Sequence, residues 1–207
     1  MLQHGVGTIT FYEPETKEFA ALGHGILDVD TSKLIDIGKG ELVTSKIVSI
    51  VKGENGKPGE IKGSIENGTS IGEINKNTFF GIYGKINNSS PLNINTKNAL
   101  EVANRSEIKT GEASILCTLD ESGPQEYKIN IDKIYYNNNT NNKSMLIRVT
   151  DEKLIEKTGG IIQGMSGSPI IQNGKFIGAI THVLVNDSKE GYAVFGDMML
   201  KQMRTTE

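Results

Sequence analysis

The chain has one cysteine, no tryptophan and only 5 prolines in 207 residues, and each shortage closes off a class of protein. A lone thiol, Cys117, cannot form an internal bridge, which excludes the disulfide frameworks of many secreted domains. Its neighbours, Ser114 to Leu119, alternate like a strand, so Cys117 reads as a packed, inert thiol. Basic charge is also short. With 22 Lys and Arg against 25 Asp and Glu the net charge is -3, leaving no excess to grip a phosphate backbone, and nucleic acid is not an expected partner. Apolar runs, the longest near Ile47 to Val51, fall far below the roughly 20 residues needed to cross a bilayer. Met1 to Gly7 lacks the basic and apolar regions of a signal peptide, so the chain is expected to be soluble as it stands. The three histidines are scattered and no His-x-x-x-His occurs; neither a metal nor another cofactor is expected.

What the chain does have is 24 glycines and apolar residues that recur with period two. That pattern predicts strands at 7–12, 46–51, 79–83, 127–131, 144–149 and 175–180. Turn chemistry separates them at Glu54 to Gly59, Asn67-Gly68, Asn87 to Pro91 and Asn173-Gly174. The spacing suits an all-β sandwich or barrel. Two short helices are expected. One follows an N-cap at Thr150 or Asp151 and stops at Gly159-Gly160; the other covers Asp197 to Met203 and docks on the body through its Met and Leu side chains. Asn137 to Lys143 reads as a polar loop tip.

The segment Gly159 to Ile171 carries the chemistry, with Gly164-Met165-Ser166-Gly167-Ser168-Pro169 at its centre. Glycines on both sides of a serine let backbone come close to a substrate carbonyl and aim successive N–H groups at one point. An acyl-transfer enzyme needs such an oxyanion hole beside its nucleophile. The N–H groups of Gly164 and Ser166 are the candidates, with Ser166 as nucleophile. Ser168, just before Pro169, suits a packing role. The motif is not the Gly-x-Ser-x-Gly elbow of α/β-hydrolases, since Ser168 stands at its last position and an apolar strand follows where a helix would. Taken alone, the segment also reads as a tight turn between strands.

A serine hydroxyl is a weak nucleophile until a base takes its proton. His4 lies at an end expected to fray. His24, in Ala20-Ala21-Leu22-Gly23-His24-Gly25-Ile26, sits where a strand runs into a Gly-flanked break, which leaves room for a substrate and a serine loop. His182 follows Ile180-Thr181 on the strand after the serine hairpin. His24 is the stronger candidate base and His182 the weaker.

Three long stretches resemble the SpoIVB family of sporulation serine peptidases: Gly5 to Pro14, Ala21 to Thr31, and Glu156 to Pro169. The resemblance implies a trypsin-like double β-barrel. The histidine of its triad falls on His24, its serine on Ser166 and its aspartate on Asp151, in Val149-Thr150-Asp151. The expected division puts the first barrel in residues 1–110 and the second in 111–207. In the chymotrypsin order the aspartate lies in the first barrel, whereas Asp151 belongs to the second; it also suits a helix N-cap. Asp28 and Asp30 are rival carboxylates that equally suit a turn before Thr31. Gly164 to Val183 further resembles the nucleophile region of trypsin-like and viral chymotrypsin-like peptidases. That likeness makes Ile180, Thr181 and His182 the edge that pairs with an extended substrate.

The family resemblance also implies a role. Its members are released into the space between forespore and mother cell, cleave themselves, and cleave a membrane-associated regulator that restrains processing of a late sigma factor. They carry an N-terminal membrane segment and a PDZ domain ahead of the peptidase, so Met1 is expected to begin a trimmed peptidase domain. A peptidase-fold binding module without activity is the alternative.

Overall fold

In a computed structural model, residues 5–89, 92, 94, 99–137 and 141–205 are described. Among these residues eleven strands form two sheets. The first runs from β1 (Ile9–Glu13) through β2 (Glu18–Ala21), β3 (Gly40–Val51) and β4 (Glu60–Thr78) to β5 (Gly81–Ile86). It is an open antiparallel sheet in the order β1-β2-β5-β4-β3, a half-barrel with β1 and β3 at its edges. The second holds β6 (Gly111–Thr118), β7 (Pro124–Ile134), β8 (Met145–Val149), β9 (Pro169–Gln172), β10 (Lys175–Leu184) and β11 (Asp187–Phe195). It closes into a barrel in the order β10-β11-β8-β7-β6-β9. The all-β, two-unit expectation therefore holds, with the first unit open.

Alternation decides which unit packs well. In the middle of β7 and along β8 every second residue is buried, giving Tyr127, Ile129, Ile131, Met145, Ile147 and Val149 to the barrel interior. Cys117 lies among them, and burial pushes its thiol up to about 11, so it stays protonated and inert at neutral pH. The first unit has a small cluster of its own, around Phe19, Ala21, Ile82 and Ile86. Its Ala20, Ile61 and Tyr83 face the barrel core instead, so the two units share one interface.

Helix α1 (Glu152–Thr158) starts on Asp151, whose side chain caps Lys153 N and Leu154 N, and ends at Gly159 with φ +74. Helix α2 (Gly196–Arg204) buries Met198, Met199 and Met203. Both match the sequence reading to within a residue or two. Asn173 and Gly174 take φ +52 and +74, as the β9–β10 hairpin turn requires. One turn expectation is corrected. Asn67-Gly68 lies inside β4, where the register with β3 jumps from Val43–Ser70 to Ser45–Ile65, so the signal marks a bulge in a long strand. The expected strand at 79–83 is likewise offset, because Phe79-Phe80 turn from β4 into β5. His4, Ser90, Pro91 and residues 138–140 fall outside the described residues.

Candidate active site

The serine loop leaves α1 at Gly159 and enters β9 at Pro169, and its peptides are fixed one at a time. Gln163 N donates to Gly59 O at 2.9 Å, and Gln163 O accepts from Ile61 N at 2.8 Å. Met165 O accepts from Ser168 N at 2.9 Å, and Gly167 N donates to Ile180 O at 2.8 Å. In a planar trans peptide, anchoring the carbonyl sends the following N–H the opposite way. The anchors on Gln163 O and Met165 O therefore orient the N–H groups of Gly164 and Ser166. Among the described residues neither of these two N–H groups has an acceptor. Gly164 holds φ +98 and Gly167 φ +93, a region that side chains rarely adopt. Gly167 has a second constraint, since a Cβ there would lie 2.3 Å from Thr8 O and 2.6 Å from Leu22 N.

That close approach brings the histidine segment to the serine. Thr8 N donates to Ser166 O at 3.0 Å, Thr8 Oγ1 to Gly164 O at 3.1 Å, and Leu22 N to Thr8 O at 3.2 Å. Thr8 thus links the serine loop to the residues just before His24. Gly23 (φ +69) is flush against β10: a Cβ would meet Thr181 Cγ2 at 3.1 Å and Ile180 O at 3.2 Å. On the other side of His24, Asn77 braces the turn. Its Oδ1 accepts from Ile26 N at 2.9 Å, and its Nδ2 donates to Ile26 O and Ile35 O at 2.8 and 3.0 Å.

Ser166 Oγ donates to Thr181 O at 3.1 Å, and the next residue, His182, meets the His24 ring at a centroid separation of 5.1 Å. Serine and histidine thus converge on adjacent residues of β10, while the serine proton points to the backbone rather than to the imidazole. His24 Nδ1 is 3.0 Å from Gly25 O. A carbonyl can only accept, so this contact selects the Nδ1–H tautomer and leaves Nε2 with a free lone pair. Partial desolvation of the His182 ring, then the charges of His24 and Lys143, push it down to about 4, although the residue as a whole is exposed; it is neutral at physiological pH.

The carboxylates are placed elsewhere. Asp151 Oδ1 accepts from Lys153 N and Leu154 N at 3.0 and 3.2 Å, and Oδ2 accepts from Lys128 N at 3.2 Å. His182 pairs with Tyr192 and Tyr192 with Leu146, so the His24 end of β8 is its beginning, whereas Asp151 lies beyond its end. At a rise of roughly 3.3 Å per residue this sets Asp151 about 16 Å along the strand from Leu146. Among the described residues no hydrogen bond joins Asp151 to His24, whose Nδ1 faces Gly25 O. Asp28 Oδ1 accepts from Thr31 N and Thr31 Oγ1, both at 2.8 Å, which keeps its carboxyl below the usual range and gives it the turn role. Asp30 is exposed on the same turn. Ser168 is completely buried, as a packing role requires. Thr8, Asn77 and the Gly59–Ile61 stretch escaped the sequence reading as site residues; Thr8 lies inside Gly5 to Pro14, and Gly59 entered only as the end of a turn signal.

A hydroxyl flanked by two N–H groups that have no acceptor among the described residues, bonded to the β10 residue next to the one that meets the His24 ring, is a set of groups that can perform acyl transfer. The family model described as SpoIVB peptidase S55 matches residues 2–200. The chain belongs to the SpoIVB peptidase family. No curated protein matches it. Among solved structures, the active form of the Rv3671c protease from M. tuberculosis is similar at 16% identity and TM-score 0.41, over 66% of this chain and 64% of that one. The inactive form of the same protease is similar at 15% identity and TM-score 0.42, over 68% of this chain and 76% of that one. The HtrA-type protease AlgW with a decapeptide shares 14% identity at TM-score 0.46, over 75% of this chain and 50% of that one. The chain thus spans about two thirds or less of the length of two of these structures. Among the described residues there is no helix long and apolar enough to cross a membrane.

Proposed function

We propose that this SpoIVB family member is a serine endopeptidase whose nucleophile is Ser166 and whose general base is His24. Ser166 Oγ turns from Thr181 O to His24 Nε2, gives up its proton there and attacks the scissile carbonyl. The N–H groups of Gly164 and Ser166 receive the developing oxyanion, and His24 then passes the proton to the leaving amine. The observation that carries the reading is the pair of anchored peptides whose N–H groups flank Ser166 without an acceptor among the described residues. β9 begins at Pro169, opposite Ala179, so beyond Ile180 no strand lies beside that side of β10 among the described residues. Ile180 N and O are taken up by Ser168 O and Gly167 N of the serine loop, so of the edge Ile180, Thr181 and His182 it is Thr181 and His182 that an extended substrate would pair with. Asp151 enters as a positioning group: it caps α1, the helix from which the serine loop departs.

Family membership carries the biological part of the proposal. The substrate is a membrane-associated regulator of late sigma-factor processing, cut in the space between forespore and mother cell, and the enzyme also cuts itself. Mixing the active chain with a Ser166→Ala copy and reading truncation by mass spectrometry tests self-cleavage. The decisive assay for catalysis is hydrolysis of an unstructured protein substrate by the unaltered chain, lost in Ser166→Ala and His24→Ala. Persistence of hydrolysis in Ser166→Ala would overturn the assignment. One observation favours the silent-module reading, the Ser166 hydrogen bond to Thr181 O in place of His24; a folded chain with no hydrolysis would support it.

A further inference from the structure

The N–H of Gly164 belongs to the peptide that joins it to Gln163, and the groups that hold this peptide come from the other sheet. The tip between β3 and β4 reaches across to the barrel and is docked by backbone at four points. Gly53 N donates to Thr158 O at 2.8 Å and Gly56 N to Val185 O at 2.8 Å. Gln163 N donates to Gly59 O at 2.9 Å and Ile61 N to Gln163 O at 2.8 Å. Glu60 and Gln163 form a parallel bridge, so β4 adds a two-bond strand fragment to the serine loop. The tip lies between that loop and the β10–β11 turn, against Ile162 and Ser188.

Fit is close on both sides. A Cβ on Gly59 would lie 2.4 Å from both Gly53 N and Val51 O and 2.6 Å from Ile162 Cγ2. A Cβ on Gly159 would lie 2.1 Å from Gly53 O. At Gly53, by contrast, the nearest atoms to a Cβ are all at 3.4 Å, an ordinary contact. The anchor on Met165 O comes from within the loop, through Ser168 N, and Thr8 Oγ1 holds Gly164 O. Gln163 O has its bond from Ile61 N alone among the described residues.

We infer that the β3–β4 tip, through Gly59 O and Ile61 N, is the positioning element of the oxyanion hole, so that catalysis requires the tip to be docked while folding does not. This rests on the serine-peptidase reading above. With the tip undocked, the 163–164 peptide is free to rotate, Gly164 N–H leaves the oxyanion, and Ser166, His24 and the substrate edge on β10 keep their places. Loss of one oxyanion donor costs about 10²–10³-fold in kcat, with KM little changed because the ground-state carbonyl gains little from that donor.

The test compares Gly59→Ala, which cannot fit the docked tip, with Gly53→Ala, which can. Kinetics on a peptide substrate are read beside the thermal midpoint. Gly59→Ala is expected to lose about 10²-fold in kcat at near-constant KM and unchanged shape of the pH profile, and Gly53→Ala to keep its rate within about twofold. A Glu60→Cys, Gln163→Cys pair added to Gly59→Ala then locks the bridge; oxidation is expected to restore most of kcat and reduction to remove it again. If Gly59→Ala does not fold, Gly56→Pro takes its place. It removes the donor to Val185 O at an exposed turn with φ +79 and is expected to lower kcat several-fold. Unchanged kcat in Gly59→Ala or Gly56→Pro with a folded chain, or equal loss of kcat with and without the disulfide, overturns the inference while leaving the serine reading intact. Hydrolysis absent from the unaltered chain would overturn both.

Discussion

The two sheets solve the edge problem in opposite ways. The barrel closes on itself, and its strands need no further partner; Ile115, Ile131, Met145 and Ile147 are completely buried within it. The first sheet stays open, exposes Val48 and Ile65 on the β3–β4 arm, and spends its reach on docking the tip of that arm against the serine loop. The barrel is therefore built for stability and carries the proposed nucleophile. The first unit supplies the proposed base, and its backbone holds the peptide proposed to serve the oxyanion.

The largest break in this comparison is chemical. Ser166→Ala and His24→Ala, one from each unit, are each expected to lower kcat by about 10⁶-fold in a hydrolysis assay, with an unchanged thermal midpoint. Next is a contrast in stability. Ile147→Ala in the barrel is expected to cost about 2–5 kcal/mol in a denaturant titration, whereas Val48→Ala, at 66% exposure on β3, is expected to stay within about 0.5 kcal/mol. Reversing that order would mean that the arm, not the barrel, holds the molecule together.

Asp151 sharpens the comparison further. Asp151→Asn keeps an N-cap acceptor, so kcat is expected to stay within a fewfold, while Asp151→Ala loses about 1 kcal/mol in thermal unfolding. A loss near 10⁴-fold in Asp151→Asn would instead make it the group that orients His24. The last effect concerns His182, whose exposure to solvent screens much of the shift. Its folded-state value of about 4 lies below the ordinary 6.5, so the unfolded chain binds the extra proton between these pH values. Stability is then complete above pH 6.5 and falls as pH drops toward 4. His182→Gln is expected to flatten the melting temperature across that window.

Much of this was legible in the chain. Period-two alternation marks β7 and β8 because one face of each is buried, and the αL stop at Gly159 and the turn at Asn173-Gly174 follow from local backbone chemistry. The serine motif and the Gly-flanked His24 are local too. What the sequence hides is long-range backbone pairing. The bond from Ile61 N to Gln163 O involves no side chain, so no residue type announces it. Asn77 bracing Ile26 is silent for the same reason, its partners being peptide groups far along the chain. Asn67-Gly68 misleads as a turn because a bulge demands the same backbone freedom.

The most direct measurement is labelling of the purified chain with a fluorophosphonate probe beside Ser166→Ala and His24→Ala. Labelling of the unaltered chain, absent from Ser166→Ala and strongly slowed in His24→Ala, is the predicted result. A folded chain that takes up no probe, or a label that maps to any residue other than Ser166, would contradict the account.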